Sequence, residues 1–167
     1  MKLDLSRHAP PGMETKEEKT LFTVGMVLSA LFSLWYYGVR YSDELARLYW
    51  INGSVRTLKN GALMPDFVEI LGIALIGFQI VAALSIAAAV MHYMYHFHES
   101  KSIYTMRRLP KWWEIHRRCL TLPLCSLVSA GLAALLFLLI FFAVYMLVTP
   151  EICLSPDQWQ KIWSVLL

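Results

Sequence analysis

The stretch that decides the fold is LCSLVSAGLAALLFLLIFFAVYMLVT, residues 124–149, which contains neither a charged residue nor a proline. A helix needs about 20 consecutive apolar residues to cross a hydrocarbon core about 30 Å thick. Residues 124–149 meet this requirement, and so do residues 20–39 and residues 67–91. We therefore predict an all-α fold, a polytopic membrane protein with three transmembrane helices and short interfacial helices outside them.

The composition also favours a membrane location. Of the 167 residues, 57% are apolar and only 16% are charged, which is more apolar surface than a soluble domain of this size can bury. The lipid bilayer is therefore the first predicted partner, and we expect no nucleic acid partner. The sequence has no nucleophile with a recognisable base, no glycine-rich phosphate loop and no pair of catalytic carboxylates. We predict that the chain is not an enzyme by itself.

Lysine and arginine in the loops predict the orientation, because cytoplasmic loops carry an excess of these residues. Residues 1–19 and the loop 92–123 together contain ten of them, whereas the loop 40–66 and the tail 150–167 together contain five. We expect a multi-pass protein of the plasma membrane with the amino terminus and the loop 92–123 in the cytoplasm. The loop 40–66 and the carboxyl terminus are expected on the outer side.

Small residues recur along the predicted spans, where they let helices approach each other closely. They either close a three-helix bundle or receive a partner helix. Gln79 is the strongly polar residue near the middle of a span, and we expect it to hydrogen-bond to a neighbouring helix or to contact a transported ligand. The candidate packing residues are Gly25, Ser29, Ser33, Gly72, Gly77, Gln79, Ser126, Ala130 and Ala134.

Short helices are predicted outside the spans as well. Thr15 and Glu18 have the spacing of a capping box, which predicts an elbow-like helix that begins in the cytoplasm and continues into the first span. Ser42 is a candidate N-cap for a short amphipathic helix in the loop 40–66, and Asn52-Gly53 is typical of a turn.

The carboxyl-terminal tail carries the signals of a further interfacial helix. Ser155-Pro156-Asp157-Gln158 combines an N-cap, a proline at the first helical position and a capping glutamine. Trp159 and Trp163 then fall on one face, and tryptophans on such a face favour the membrane interface. We expect this helix to anchor the end of the third span.

Three histidines, His92, His96 and His98, cluster at the end of the second span and raise the question of a metal or a haem. A haem between membrane helices needs axial histidines on facing helices, and neither of the other spans contains one. We predict no cofactor and no metal site. Two alternative functions stay open: a membrane anchor of a haem or quinone enzyme complex, and a regulatory or scaffolding membrane protein.

The segment ESKSIYTMRRLPKWWEIHRRC, residues 99–119, separates the second and third spans and contains six lysines or arginines and two adjacent tryptophans. A loop can fix topology and bind anionic headgroups through charge alone. This segment also mixes apolar residues with the charges. Pro110 disfavours helix at Leu109 and can start a new helix from Trp112 to Cys119. The two pieces predict a rigid protrusion, which is more than lipid binding requires.

Lys101-Ser102-Ile103, followed by Leu109-Pro110 and a basic helix, resembles the cytoplasmic loop between the second and third helices of ABC exporter permeases of the type-2 class. Many bacterial members have a basic-Ser-aliphatic start and a Ser-Leu-Pro step there. Arg108 and Trp113 stand where the family usually has serine and a basic residue. In that family this loop holds the coupling helix that docks on the ATPase subunit. The resemblance implies a half-sized permease or an accessory subunit.

The resemblance also implies the partners. Residues 99–119 would couple a separate ABC ATPase subunit in the cytoplasm to the transmembrane region, together with further permease subunits or a second copy of this chain. Apolar side chains would anchor the contact and arginines would match acidic rims on the ATPase. The candidate ATPase contacts are Lys101, Ser102, Tyr104, Met106, Arg107, Arg108, Leu109, Pro110, Trp112, Trp113, Arg117 and Arg118.

Overall fold

The computed structural model describes residues 15–52, 55–59, 61–98, 113–154, 157–158 and 160–161. Within these residues the chain forms four α-helices, a β-hairpin and one 3-10 turn. In chain order they are α1 (Thr15–Arg47), β1 (Tyr49–Asn52), β2 (Val55–Leu58), α2 (Phe67–Leu71), α3 (Ile76–His98), α4 (Trp113–Val148) and the 3-10 turn Glu151–Cys153.

Within the described residues, three helices are long and apolar enough to cross a membrane. The candidate spans are Lys16–Arg47 in α1, Ile76–Met94 in α3 and Cys119–Val148 in α4. The predicted all-α fold with three transmembrane helices is confirmed, and the chain is a multi-pass membrane protein. By packing, the chain divides into two compact units. The first contains residues up to Leu28 with Gly77–Ala133, and the second contains Ser29–Ile76 with residues from Ala134 onward.

Helix α1 is longer than the predicted first span. It begins at Thr15, where the capping box predicted a helix, and it ends at Arg47 rather than at residue 39. The separate helix predicted after Ser42 is therefore wrong. The Ser42 hydroxyl instead donates to the carbonyl oxygen of Val39 at 2.8 Å, inside the continuous helix. No proline interrupts this stretch, and its 33 residues reach about 50 Å at 1.5 Å per residue.

The hairpin after α1 was not among the predicted elements. Strands β1 and β2 are antiparallel, with Tyr49 opposite Leu58 and Asn52 opposite Val55, so Asn52 of the predicted Asn-Gly turn is the last paired residue of β1. Aromatic and β-branched residues on both sides of that dipeptide favour strands over helix. The hairpin is tied to α1 because the Lys59 ammonium donates to the carbonyl oxygen of Arg47 at 2.7 Å.

The predicted second span, residues 67–91, is broken near its start. Helix α2 ends at Leu71, and α3 begins only at Ile76 and continues to His98. Gly72 closes α2 with φ 43° and ψ −118°, and its N–H bonds to the carbonyl oxygen of Val68. Gly72 was predicted as a helix-packing residue. It is a helix terminator, because only glycine adopts this backbone conformation without strain.

The predicted loop 92–123 is also shorter than expected. Residues 92–98 belong to α3, and α4 begins at Trp113 and runs unbroken for 36 residues to Val148, with Pro123 inside the helix. The separate short helix predicted for residues 112–119 is therefore the start of α4. A proline within a helix does not end it when neighbouring groups satisfy the carbonyl that loses its partner.

The second unit has an aromatic core. Tyr37 stacks on Phe141 with ring centroids 4.1 Å apart, and Phe67 meets Tyr145 edge to face. The buried hydroxyl groups have partners: Tyr37 donates to the carbonyl oxygen of Phe141 at 2.9 Å and Tyr145 to that of Pro65 at 3.0 Å. These bonds matter because an unpaired polar group in an apolar interior costs free energy. They join α1, α4 and the segment before α2.

Candidate functional site

The candidate site is a buried histidine in the first unit, His92. Three elements meet at its ring: α3, which carries His92, the first turn of α1 and the amino-terminal part of α4. His92 is 2% exposed. It lies seven residues before the first residue of the segment 99–119, and Cys119, its α4 partner, ends that segment. The site therefore borders the stretch that the sequence singled out for a partner contact.

One ring nitrogen of His92 completes a hydrogen bond that α4 cannot make for itself. Nδ1 lies 3.1 Å from the carbonyl oxygen of Cys119. In a regular helix that oxygen would accept the backbone N–H four residues later, but position 123 is proline and has no N–H. A carbonyl oxygen only accepts hydrogen bonds, so Nδ1 carries the proton and donates it. His92 thus satisfies the carbonyl that Pro123 leaves open.

The other ring nitrogen of His92 faces a carboxylate. Nε2 lies 3.2 Å from Oε2 of Glu18 in the first turn of α1. With Nδ1 protonated, Nε2 and the carboxyl group form a hydrogen bond when either of them carries a proton. The Glu18 carboxyl group is therefore paired with the ring.

This arrangement holds helices together. The imidazole bridges α1 to α4 through α3, and both of its nitrogens are engaged. A haem or a metal ligated by His92 would have to break one of these two bonds, which weighs against the redox-anchor alternative. The side chains of His96 and His98 lie outside the described residues.

Most of the predicted ATPase contacts lie outside the described part of the chain. The backbone of Trp113, Arg117 and Arg118 forms the first turns of α4. The contacts that are not described are Lys101, Ser102, Tyr104, Met106, Arg107, Arg108, Leu109, Pro110 and Trp112.

The small residues of the first and third spans lie in the interior. Ser29, Ser33 and Ala130 are buried, and Ser126 and Ala134 are half-buried. Within the described residues, the Ser33 hydroxyl has no hydrogen-bond partner. These positions fit the predicted role of small side chains in close helix packing.

The remaining predicted packing residues, Gly25, Gly77 and Gln79, do not share one environment. Gly25 of α1 does pack against α3, because a Cβ atom at Gly25 would lie 3.2 Å from Cγ2 of Val81. Gly77 is half-buried, but Gln79 is exposed on the helix surface. The predicted contact of Gln79 with a neighbouring helix or a transported ligand stays a prediction. The period of the sequence shows which residues share a face, but not which face the other helices cover.

The exposed tryptophan that the structure describes near the end of α1 is not one of the two that were predicted at the membrane interface. Trp159 and Trp163 lie outside the described residues. Trp50, which the sequence reasoning did not select, is 60% exposed on β1, and the Lys59 ammonium lies 4.7 Å from its ring centroid. An exposed tryptophan with a lysine over its face is typical of a membrane-interface anchor. The signal in the sequence for an exposed Trp50 was its position shortly before the predicted turn at Asn52-Gly53.

The tail is held by a residue whose predicted role was different. Gln158 is 5% exposed, and its Oε1 accepts the backbone N–H of Phe67 at 3.0 Å. Its Nε2 donates to Oδ1 of Asp66 at 3.0 Å, and the Lys161 ammonium donates to the same oxygen at 2.8 Å. Gln158 therefore caps α2, whereas the sequence predicted it as a capping residue of the tail helix.

The sequence reasoning also missed Glu18 and Pro123 as parts of the His92 site. The sequence shows that Pro123 lies four residues after Cys119, but it does not show which side chain donates a hydrogen bond to the Cys119 carbonyl. Comparison with protein families, with characterised proteins and with solved structures finds no match to this chain. The resemblance to type-2 ABC exporter permeases stays a prediction from the sequence.

Proposed function

We propose that this chain is a membrane subunit of an ABC transporter complex and that its segment 99–119 contacts a separate cytoplasmic ATPase. The observation that carries the proposal is the continuity of α4 from Trp113 to Val148. Residues just after the Leu109-Pro110 step belong to the same helix that crosses the membrane. A force applied to this segment by a partner is therefore applied to a transmembrane helix.

The geometry of the two flanking helices supports this role. Helix α4 begins at Trp113, eleven residues before the uncharged stretch 124–149, which is about 16 Å at 1.5 Å per residue. On the other side, α3 ends at His98, seven residues beyond the predicted span 67–91. The segment 99–112 is therefore joined at each end to a helix that leads directly into the membrane.

In this proposal α4 bends at Pro123. A proline removes one helical hydrogen bond and weakens the helix at that position. The hydrogen bond from His92 to the carbonyl oxygen of Cys119 connects the weakened turn to α3. In the proposed cycle, movement of the ATPase bends α4 at Pro123 and shifts the second and third spans between two arrangements.

The remaining parts of the proposal follow from the sequence. The protein lies in the plasma membrane, with the segment 99–119 and the amino terminus in the cytoplasm, as the distribution of lysine and arginine predicts. ATP hydrolysis resides in the partner subunit. Because many transporters enclose their path between repeated helical bundles, a further permease subunit or a second copy of this chain completes the transmembrane region.

The test is a pulldown of the tagged chain in mild detergent from its native host, with identification of the copurifying proteins by mass spectrometry. We expect an ATP-binding-cassette ATPase to copurify with the native chain. The double reversal Arg107→Glu with Arg108→Glu should abolish this association while membrane insertion stays intact, because the reversed charges repel an acidic surface.

A matched reversal of equal charge, Arg56→Glu with Lys59→Glu, provides the control. These residues belong to the loop predicted on the outer side, so their reversal should leave the ATPase bound. The proposal is wrong if no ATPase copurifies with the native chain, or if the ATPase stays bound to the Arg107 and Arg108 reversals.

A further inference from the structure

A groove in the first unit has Glu18 and His92 in its lining. It runs between the first turns of α1 and the later turns of α3 and has a volume of about 950 Å³. Its walls are apolar and open to the surroundings: Leu21 is 71% exposed, Met91 is 61% exposed and Val24 is 49% exposed. Ala88 lies at its side. The groove is thus a binding surface for hydrocarbon.

Charged side chains occupy one end of this groove. Lys16, Glu17 and Glu18 line it just ahead of the predicted span 20–39. Along α1, Leu21 and Val24 follow Lys16 by five and eight residues, which is about 8 Å and 12 Å at 1.5 Å per residue. A span that starts near residue 20 therefore places the charges at headgroup depth and the apolar wall within the acyl chains. This sequence of polarity matches that of a phospholipid.

The charges that remain available select the headgroup. Glu18 is engaged by His92, so its carboxylate is already compensated. Lys16 and Glu17 are exposed, and neither has an ion pair within the part of the chain that the structure describes. The groove thus offers one cation and one anion on neighbouring residues. A headgroup that carries both an anionic phosphate and a cationic amine complements this pair.

We propose that this groove binds one aminophospholipid, with the phosphate at the Lys16 ammonium, the primary ammonium at the Glu17 carboxylate and an acyl chain along Leu21, Val24 and Met91. A primary ammonium donates hydrogen bonds to a carboxylate, whereas a quaternary choline contributes only its charge. A headgroup with a phosphate and no amine leaves Glu17 uncompensated and places two anions together. The order of preference is therefore phosphatidylethanolamine, then phosphatidylcholine, then phosphatidylglycerol.

The test is native mass spectrometry of the full chain released from mixed micelles that contain the three lipids in equal amounts. We expect one retained lipid per chain, with phosphatidylethanolamine favoured over phosphatidylglycerol by about tenfold, which corresponds to about 1.4 kcal/mol. Glu17→Gln should remove most of the preference for the amine. Lys16→Gln should lower retention of all three lipids, because each of them carries the phosphate.

Two controls separate this site from general attraction to charge. Lys19→Gln removes an equal charge from the same stretch of α1 without touching the groove, and Asp43→Asn removes an exposed carboxylate near the other end of α1. Both should retain phosphatidylethanolamine as the native chain does. Ala88→Phe fills the groove without changing charge and should reduce retention of every lipid, with folding checked by circular dichroism.

Three results would overturn the proposal. The first is equal retention of the three lipids by the native chain. The second is an unchanged lipid retention in Lys16→Gln together with an unchanged preference in Glu17→Gln. The third is a lipid-free dimer as the main species in the presence of phosphatidylethanolamine, because a second copy of the chain would then occupy the groove.

Discussion

The imidazole Nδ1 of His92 lies 3.1 Å from the carbonyl oxygen of Cys119, the oxygen that Pro123 deprives of its helical partner. An interior proline costs a helix about 3 kcal/mol, and because Cys119 is buried, its carbonyl cannot turn to water when it lacks a helical partner. A side chain from α3 removes part of this cost by supplying the missing donor. The proline in α4 and the histidine in α3 therefore act as one structural unit.

The first prediction is a measurable coupling between His92 and Pro123. His92→Ala should destabilise the native chain by about 1–3 kcal/mol, because it leaves the Cys119 carbonyl unsatisfied. In a Pro123→Ala background the backbone N–H at position 123 can reach that carbonyl, so the same change should cost about 1 kcal/mol less. Unfolding in mixed micelles with increasing dodecyl sulfate measures the four free energies.

Ser85→Ala is the control for this cycle. The Ser85 hydroxyl donates to the carbonyl oxygen of Val81 within α3, so its loss should have the same effect with and without Pro123. Equal costs of His92→Ala in the two backgrounds would show that the histidine does not satisfy the Cys119 carbonyl.

The second prediction concerns the contact between Glu18 and His92. Glu18→Ala should destabilise the protein by about 1 kcal/mol, because Nε2 of the buried ring loses its partner. Glu18→Gln should cost less, since an amide can donate to or accept from the ring. The unfolding experiment above measures both changes. Glu17→Ala, at an exposed neighbour, should stay within about 0.5 kcal/mol of the native chain. A cost for Glu17→Ala equal to that for Glu18→Ala would contradict the assignment.

The third prediction tests the break between α2 and α3. Gly72→Ala should destabilise the protein by about 1–3 kcal/mol, because φ is 43° and a Cβ atom would lie 3.0 Å from the Tyr36 hydroxyl. Gly38→Ala is the matched control, since no atom lies within 4 Å of a Cβ there. This control should be neutral or stabilise α1 by up to about 1 kcal/mol. Thermal unfolding in detergent distinguishes them, and a tolerated Gly72→Ala would argue for a continuous helix across residues 67–91.

The fourth prediction concerns the cap on α2. Gln158→Ala removes the acceptor for the Phe67 N–H, so that amide should exchange with deuterium about fivefold faster, for a loss of about 1 kcal/mol. Hydrogen exchange followed by mass spectrometry of the peptide that contains Phe67 measures the change. Gln160→Ala, two residues away and exposed, should leave the exchange rate unchanged. Equal rates in the two variants would rule out the cap.

The spans were predictable because they depend on composition over many residues. A run such as 124–149 has no soluble alternative, so its length and lack of charge suffice to predict a transmembrane helix. The helix ends were less predictable. Ser42 has the chemistry of an N-cap, but a serine inside a helix can bond to a preceding carbonyl instead, as it does with Val39.

The sequence by itself determined that this is a membrane protein with three spans, because hydrophobic length is a local property of the chain. The sequence also places Pro123 four residues after Cys119, but only the structure shows that α4 continues through Pro123 and leaves the Cys119 carbonyl without its helical partner. Only the tertiary structure decided what satisfies that carbonyl and what caps Phe67. His92 and Gln158 lie 27 and 91 residues away from these partners. Pairing over such distances depends on how the helices pack, and no local pattern contains that information.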